Sequence, residues 1–419
     1  MTRGIACLMA AQFVSGLADN ALLIVAMARL ADMGRSAWLA PLLKAVFTLA
    51  YVLLAPWVGA LADRWPKVRV MLAANGLKAL ACALMALAID PLLAFALAGV
   101  GAAAYSPAKY GLVTELSPPE QLVHANGWLE VTTVGAIILG TALGGWLVGP
   151  WLLADGARHM GHALPVDSPL GAAILLVLAL YALAAALNLL IPSSGARPHA
   201  MQPSFSALLT RFAHAQRTLW RDAPGGLSLG VTTLFWGAGA TLQFVVLAWA
   251  QDNLSLSLSH AAYLQGVVAI GIGVGALAAG RWVRLHQAPG VLPLGVLMGA
   301  CVPLLTLVHS VGVAAPLLAT VGALAGFFVV PMNALLQHRG QQLLGAGESI
   351  AVQNFNENLS ILVMTGLYFL MIKLDLSIYL VITLFGLFVS GAMLLVKRRH
   401  EANQREYDDV AHLVDSAAH

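Results

Sequence analysis

The sequence predicts an all-α protein that crosses a membrane about twelve times, in two similar six-helix halves. Three observations carry this. Of the 419 residues 60% are hydrophobic and only 10% are charged, whereas a soluble domain keeps roughly 25% charged residues. Apolar runs of roughly 20 residues, enough to cross the hydrocarbon of a bilayer, recur from end to end. Short patterns in the first half also return, in the same order, in the second.

The first six spans are expected at 5–31, 38–61, 69–89, 91–114, 125–149 and 169–191, and the second six at 227–251, 260–282, 290–309, 313–336, 348–372 and 375–396. Arg3 and the apolar run after it have the look of a signal peptide. Asp19 and Asn20 interrupt that run, however, and it continues to about Leu30, so it reads as an uncleaved first helix. Residues 1–191 then form the first half and 227–397 the second. Between them, 192–226 carries Pro192, Ser193, Ser194, Gly195, Pro198 and Pro203, which is linker chemistry, with a possible amphipathic stretch at 204–220. The loop 150–168 is the other long connection, and 398–419 is a polar tail, expected to be partly disordered.

Basic residues set the orientation. With the N-terminus inside, the cytoplasmic segments hold Arg3, Arg64, Lys67, Arg69, Arg197, Arg211, Arg217, Arg221, Arg281, Arg284, Arg339, Lys397, Arg398, Arg399 and Arg405. The opposite side holds Arg35, Arg158 and Lys373. The asymmetry places both termini in the cytoplasm and agrees with an even number of spans.

The internal repeat rests on four matches. Gly59-Ala60-Leu61-Ala62 returns as Gly275-Ala276-Leu277-Ala278, Pro107 as Pro331, Glu130 as Glu357 and Gly16 as Gly237. Each pair falls at the same span of its half. Parallel halves of six spans resemble the major facilitator superfamily. The loop Gly59-Ala-Leu-Ala-Asp63-Arg64-Trp65-Pro66-Lys67-Val68-Arg69 resembles that superfamily's signature between spans 2 and 3. There Gly59 would let helices approach closely, and Asp63 would sit at the N-terminus of a helix from the other half, where a carboxylate is favoured. Asp63, Arg64, Lys67 and Arg69 are therefore the gating candidates, although the basic residues alone could simply set topology. The second copy has Ala279 where the first has Asp63, so such a latch is asymmetric.

Ionisable residues inside spans mark functional sites, because a charge in hydrocarbon is costly. They are Asp19, Lys44, Lys78, Lys109, Glu130 and Glu357. Lys44 reads as snorkelling to the outer interface. Lys78 with Asn75 reads as a structural pair, and Glu130 as either a gate or a capping residue. Asp19 and Lys109 are the preferred site residues. The run Gln353-Asn354-Phe355-Asn356-Glu357-Asn358 is dense in polar groups for a span. In the superfamily arrangement spans 1, 4, 7 and 10 line a cavity, so that Asp19, Lys109, Glu130 and Glu357 would face a common space. The glycine pairs 140/144, 271/275, 295/299 and 322/326 read as close-packing faces. Trp38, Trp57, Trp65, Trp128, Trp146 and Trp249 read mostly as interfacial anchors.

Several classes are disfavoured. A formal charge of +3 is too small to argue for nucleic acid, and Cys7, Cys82 and Cys301 all lie in apolar runs and imply no disulfide framework. No phosphate loop, zinc pattern or paired cysteine ligands occur, and no cofactor or metal is expected. Gly271-Ile-Gly-Val-Gly275 lies within a span and is no nucleotide loop. His162-Ala-Leu-Pro-Val-Asp167 has the His-x4-Asp spacing of glycerolipid acyltransferases, but with no domain around it to hold an acyl donor.

A narrower resemblance rests on longer stretches. Ala11-Gln-Phe-Val-Ser-Gly-Leu-Ala-Asp19-Asn20-Ala-Leu-Leu23 and Gly99-Val-Gly-Ala-Ala-Ala-Tyr105-Ser106-Pro107-Ala-Lys109-Tyr110-Gly111 are similar to the bacterial lysophospholipid transporters. So are Asn75-Gly-Leu-Lys78, His124-Ala-Asn126-Gly-Trp-Leu-Glu130, Leu234-Phe-Trp236-Gly-Ala-Gly239, Phe327-Phe-Val-Val-Pro331-Met-Asn333-Ala-Leu-Leu336 and Ala351-Val-Gln353-Asn354. The resemblance implies a flippase of the bacterial inner membrane. It would move lysophospholipids such as lysophosphatidylethanolamine from the periplasmic to the cytoplasmic leaflet by alternating access. A cytoplasmic acyltransferase and acyl-carrier-protein synthetase then reacylates them; here it is expected to be a separate protein, and the transporter a monomer. The implied substrate-site residues are Asp19, Asn20, Tyr105, Lys109, Glu130, Gln243, Asn333, Asn354 and Glu357. Lys109 would meet the phosphate, and Asp19 or Glu357 an ammonium or a coupling cation. Members of the family carry arginine where this chain has Gln243, which can hydrogen-bond a head group but cannot neutralise it. The alternatives are a proton-coupled drug or metabolite antiporter of the same superfamily, faintly suggested by Gly140-Thr-Ala-Leu-Gly144-Gly145, and a membrane-bound lipid acyltransferase.

Overall fold

The computed structural model describes residues 3–35, 39–149, 169–195 and 205–406. Twelve of its helical segments are long and apolar enough to cross a membrane. In chain order the α-helices are α1 (Arg3–Asp32), α2 (Ala40–Arg64), α3 (Lys67–Ala86), α4 (Pro91–Leu116), α5 (Pro119–Leu147), α6 (Pro169–Asn188), α7 (Phe205–Arg221), α8 (Ala223–Leu254), α9 (Leu258–Trp282), α10 (Leu292–Cys301), α11 (Val311–Leu343), α12 (Ala346–Lys373) and α13 (Ile378–Glu406). There is no strand among the described residues. In hydrocarbon a helix satisfies its own backbone groups, so apolar runs of this length have few other options.

The helix ends follow local rules. Pro91, Pro119 and Pro169 open their helices, where the missing N–H has no partner to lose. Asp222 caps α8 by accepting from Gly225 N at 2.9 Å, and Ser257 caps α9. Gly345, at φ 109°, makes the turn from α11 into α12, a backbone conformation that a side chain would oppose.

Three expectations need correction. The ninth span is not one α-helix. It runs as a 3₁₀ segment over Leu285–Val291, then α10, then a second 3₁₀ segment over Val302–Leu307. Pro289, Pro293 and Pro303 lie along it, and each removes a backbone donor. Several helices also outrun their apolar cores: α5 begins at Pro119, α11 runs to Leu343 and α13 to Glu406. Hydropathy marks the part within hydrocarbon, while the hydrogen-bonded helix continues past it, here into the first part of the polar tail expected to be partly disordered. Trp249, read as an interfacial anchor, is fully buried. Trp65, Trp128 and Trp146 are exposed, and Trp38 lies outside the described residues. The amphipathic stretch of the linker is α7. The His162–Asp167 pair lies outside the described residues.

The chain divides into two compact units. The first comprises 1–116, 135–212 and 346–351. Its core packs Leu22, Val25 and Leu30 of α1 with Met85 of α3, Phe95 of α4 and Ile174, Val177 and Tyr181 of α6. Within it Gly140 and Gly144 of α5 lie against Leu17, Ala21 and Ile24 of α1. The second unit comprises 117–134, 213–345 and 352–419. Its core gathers Val245 and Trp249 of α8, Leu264 of α9, Leu318 of α11, Tyr368 of α12 and Val381 and Ile382 of α13. Here Gly271 and Gly275 of α9 face the backbone of Ala319 and Ala323, while Gly322 and Gly326 of α11 face that of Val268 and Ile272. A Cβ at Gly275 or Gly326 would run into the opposing carbonyl, so these glycines set how closely the helices pack.

The repeat is visible in the packing. Gly16 of α1 lies against Ala136 of α5, and its counterpart Gly237 of α8 lies against Ser360 and Met364 of α12. The first span meets the fifth as the seventh meets the eleventh.

Candidate functional site

In the first unit, charge gathers where α1, α3 and α6 meet. Asp19 Oδ2 accepts from Lys78 Nζ at 2.7 Å, and Oδ1 accepts from the Tyr181 hydroxyl at 2.7 Å. Lys78 also donates to Ser15 Oγ at 3.2 Å, and Ser15 donates to Asn75 Oδ1 at 2.8 Å. Ser15 and Asp19 share a face of α1, as Asn75 and Lys78 share a face of α3, because residues three and four apart are helical neighbours. The Lys78 ammonium lies 5.0 Å from the Tyr105 ring centre and 5.7 Å from that of Tyr181. Either charge alone would be costly inside a span; together, and with the hydroxyls, they satisfy one another. The two partners are unequally hidden, since the Lys78 side chain is 1% exposed and that of Asp19 is 21% exposed. Beside the pair, Asn75 Nδ2 and the buried Tyr105 hydroxyl have no hydrogen-bond partner.

This changes how the candidate residues group. Lys78 is part of the charged cluster around Asp19, where the sequence had suggested a separate pair with Asn75, and Ser15 links it to Asn75. Lys109, on α4, is half-buried with its ammonium 4.3 Å from the Tyr110 ring centre. Asn20 turns back to donate to Gly16 O on its own helix at 2.8 Å. Asp19 and Lys109 belong to the first unit, while Glu130 and Glu357 belong to the second. Lys44 is exposed.

In the second unit, the repeat-related Glu130 and Glu357 are both buried. Gln353 Nε2 donates to Glu357 Oε1 at 2.7 Å and to Asn333 Oδ1 at 3.0 Å. Thr232 is a further side-chain hydrogen-bond partner of Glu357. Nearby in sequence, Asn126 and Gln337 exchange two amide hydrogen bonds of 2.8 Å. Asn354 is buried, and its backbone carbonyl accepts from Asn358 at 2.8 Å. Gln243 is exposed, and its backbone carbonyl accepts from Gln265 at 2.8 Å.

The gating candidates lie at the end of α2 and the start of α3, within the first unit. Asp63 Oδ1 accepts from Gly347 N at 2.7 Å and Oδ2 from Glu348 N at 2.9 Å, which caps the N-terminus of α12. The approach depends on missing side chains. A Cβ on Gly59 would lie 2.7 Å from Ala351 Cβ, and one on Gly347 would lie 2.8 Å from Ala62 Cβ. Lys67 joins α3 to α4 through Glu115 at 2.5 Å and stands 3.9 Å from Asp63, while Ser194 donates to the other Glu115 oxygen at 2.6 Å. Arg64 and Arg69 are exposed. Arg211 of α7 grips Glu348 with two nitrogens at 2.7–2.9 Å, and that carboxylate hydrogen bond holds the guanidinium's proton more tightly than usual. Arg339 grips the capping Asp222 in the same fashion, at 2.8 and 2.9 Å.

Ser15, Lys78, Tyr181, Thr232 and Arg211 therefore join the candidate residues. Lys78 carried a signal, as a charge inside a span. Tyr181 in its leucine-rich span carried none, because a tyrosine there reads equally well as core.

The Major Facilitator Superfamily profile matches residues 8–365. The lysophospholipid transporter LplT of Yersinia enterocolitica is 42% identical over 386 residues, covering 90% of this chain and 89% of that protein. The LplT of Photorhabdus laumondii is 42% identical over 379 residues, covering 90% and 91%. Among solved structures, the transporter FucP in its outward conformation superposes with a TM-score of 0.72 at 16% identity, covering 95% of this chain and 99% of that one. The human organic anion transporter MFSD10 superposes with a TM-score of 0.71 at 16% identity, covering 96% and 100%. A multi-pass membrane protein with the major facilitator fold, this chain belongs to the Major Facilitator Superfamily and, within it, to the lysophospholipid transporter family.

Proposed function

We propose that this protein moves lysophospholipids from the periplasmic to the cytoplasmic leaflet of a bacterial inner membrane by alternating access. The observation that carries the reading at the level of the site is the Asp19–Lys78 pair, which lies inside the spans α1 and α3. A lysophospholipid needs a polar passage for a phosphate head group and an apolar surface for one acyl chain. Asp19 is the less buried partner, so an incoming ammonium meets Asp19 while Lys78 stays behind as its counter-charge. The Tyr105 hydroxyl and Asn75 Nδ2 offer free donors to a phosphate oxygen, and Lys109 supplies a second cation for the same phosphate.

The contacts of Asp63 act as the latch on the cytoplasmic side, with both termini on that side, as the distribution of basic residues supports. When the latch opens, α12 loses two hydrogen bonds at its N-terminus and the carboxylate that favours that end. The flipped lipid would pass to a cytoplasmic acyltransferase.

The test is uptake of labelled lysophosphatidylethanolamine by spheroplasts with and without the protein, alongside Lys78→Ala and Lys109→Ala variants of matched expression. Uptake that needs the protein and both lysines supports the reading. No uptake with any of several lysolipid head groups overturns it in favour of a proton-coupled antiporter of soluble substrates. Normal uptake by both variants refutes the site.

A further inference from the structure

Beyond Phe212, α7 belongs to the second unit and runs straight into α8: Arg221 ends the one and Asp222 caps the other. Since α8 is long and apolar enough to be a span, this end of α7 stands where a span leaves the membrane. The inner side of α7 is set by Ala215 and Leu219, both fully buried. Ala213, Arg217, Trp220 and Arg221 share the outer side, at spacings of three and four residues, and all are exposed. Trp220 is pinned from within. Its indole N–H donates to Asn356 Oδ1 of α12 at 3.3 Å, and Asn356 donates to Gln216 Oε1 at 2.9 Å. The ring lies beside Gly230, where an added Cβ would stand 3.5 Å from it. Gly230 is two turns into α8, so the ring reaches about 10 Å along the span. Even so, 41% of Trp220 is exposed. An indole with its N–H satisfied and its apolar surface open, at the mouth of a span, is placed as tryptophans of the membrane interface are. The arginines beside it have no such partner: among the described residues neither Arg217 nor Arg221 forms an ion pair. Asp222, the carboxylate next in sequence, is already held by Arg339 and by the Gly225 amide. Two like charges one helical turn apart repel each other. What this side of α7 lacks is an anion that brings apolar surface with it.

We propose that the outer side of α7, at Arg217, Trp220 and Arg221, is a docking surface for anionic phospholipid of the adjoining leaflet, the cytoplasmic one in the orientation proposed above. A phosphodiester head group meets both guanidinium groups, each able to give it two parallel hydrogen bonds, and relieves their repulsion. Its acyl chains run along α8 and cover the open surface of the Trp220 ring. Lipid fits this surface better than an acidic protein does. A protein arriving from the aqueous side would reach the arginines but leave uncovered a ring that lies two turns down a span. Juxtamembrane arginines are drawn to anionic lipid in just this setting, each adding to the attraction.

The experiment is tryptophan quenching on the full-length protein in phosphatidylcholine vesicles, with no lysolipid present, so that it stands apart from the substrate reading. The vesicles are doped with phosphatidylglycerol carrying brominated acyl chains, or with brominated phosphatidylcholine at the same dose. Bromine quenches an indole that it touches, and subtracting the signal of Trp220→Phe leaves the Trp220 part. Brominated phosphatidylglycerol should quench that part at about tenfold lower dose than brominated phosphatidylcholine. The preference should shrink in high salt and vanish in Arg217→Gln/Arg221→Gln, while quenching of the other tryptophans by brominated phosphatidylcholine stays the same, as it does in a correctly inserted protein. Equal quenching of wild-type Trp220 by the two lipids overturns the proposal and leaves the arginines with topology alone. A preference that survives in the double glutamine variant overturns it too, because the anion is then held elsewhere. A Trp220 signal that neither lipid quenches refutes docking of lipid and assigns this side of α7 to a protein partner.

Discussion

Replacing Lys78 by methionine keeps the length of the side chain and removes its charge. Asp19 then keeps one of its two hydrogen bonds, from Tyr181, and the exposed fifth of its side chain can still be hydrated. Breaking a buried ion pair from one side costs about 3–5 kcal/mol, and this side belongs at the lower end, about 3 kcal/mol. Asp19→Leu is the harsher change. It leaves an ammonium that is 1% exposed with Ser15 Oγ, at 3.2 Å, as its remaining hydrogen-bonded partner, so about 5 kcal/mol is expected unless the amine sheds its proton. The double variant Asp19→Leu/Lys78→Met has no charge to strand, and its cost should fall to about 2 kcal/mol or less, the near-neutral outcome of replacing a buried pair by apolar groups. The unfolding free energy of purified protein in mixed micelles, titrated with sodium dodecyl sulfate, measures all three. The coupling between the two sites should exceed about 3 kcal/mol. Single variants that each cost under about 1 kcal/mol, or a double variant whose cost equals their sum, would refute the account of the pair. The same double variant separates stability from function: it should be folded and fail to take up lysophosphatidylethanolamine.

Removing the cap with Asp63→Ala orphans the amides of Gly347 and Glu348 and should weaken the latch by about 1–2 kcal/mol. A cysteine at Ser349, buried in the latched arrangement, should then be alkylated about tenfold faster; an unchanged rate would mean that the cap does not hold the latch. Arg211→Gln removes the two-pronged grip on Glu348 and should give a smaller rise in that rate, about 1 kcal/mol in low salt and less in high salt. If salt has no effect on the difference, the grip acts by packing. Gly326→Val should abolish correctly assembled protein because its side chain meets the Ile272 carbonyl, whereas Gly366→Val, with open space around it, should be tolerated. Equal yields of the two would discard the close-packing account of α9 and α11. Gln243→Arg should raise uptake of anionic lysophosphatidylglycerol relative to lysophosphatidylethanolamine, because the guanidinium can neutralise phosphate where the amide cannot; an unchanged ratio would place position 243 away from the head group.

The spans were legible because crossing hydrocarbon is a local property. A run of apolar residues long enough to cross is helical wherever it sits, since only a helix satisfies its own backbone there. The glycine faces and the capping role of Asp63 were legible for a related reason. A missing side chain and an acidic residue beside a helix end each act over a few ångströms, so residue type and position say most of what they do. The ninth span was harder, because its hydropathy is that of a helix, while Pro289, Pro293 and Pro303 alter its hydrogen bonding without altering its apolarity.

What the sequence determined by itself is the class of the protein: a chain too apolar for water, folded as twelve spans in two related halves, with charges at a few depths inside. Which charge meets which was decided by the tertiary structure. Lys78 and Lys109 are both lysines inside spans, and nothing in their local sequence says that Lys78 reaches Asp19. That depends on how α1, α3 and α6 are rotated about their axes, and the rotation is set by packing across the whole first unit, including Tyr181 some 160 residues away. The same holds for Gln353, whose amide is directed by α11 and by Glu357. A helix brings neighbours three or four residues apart to one face, but only the packed bundle chooses what that face meets.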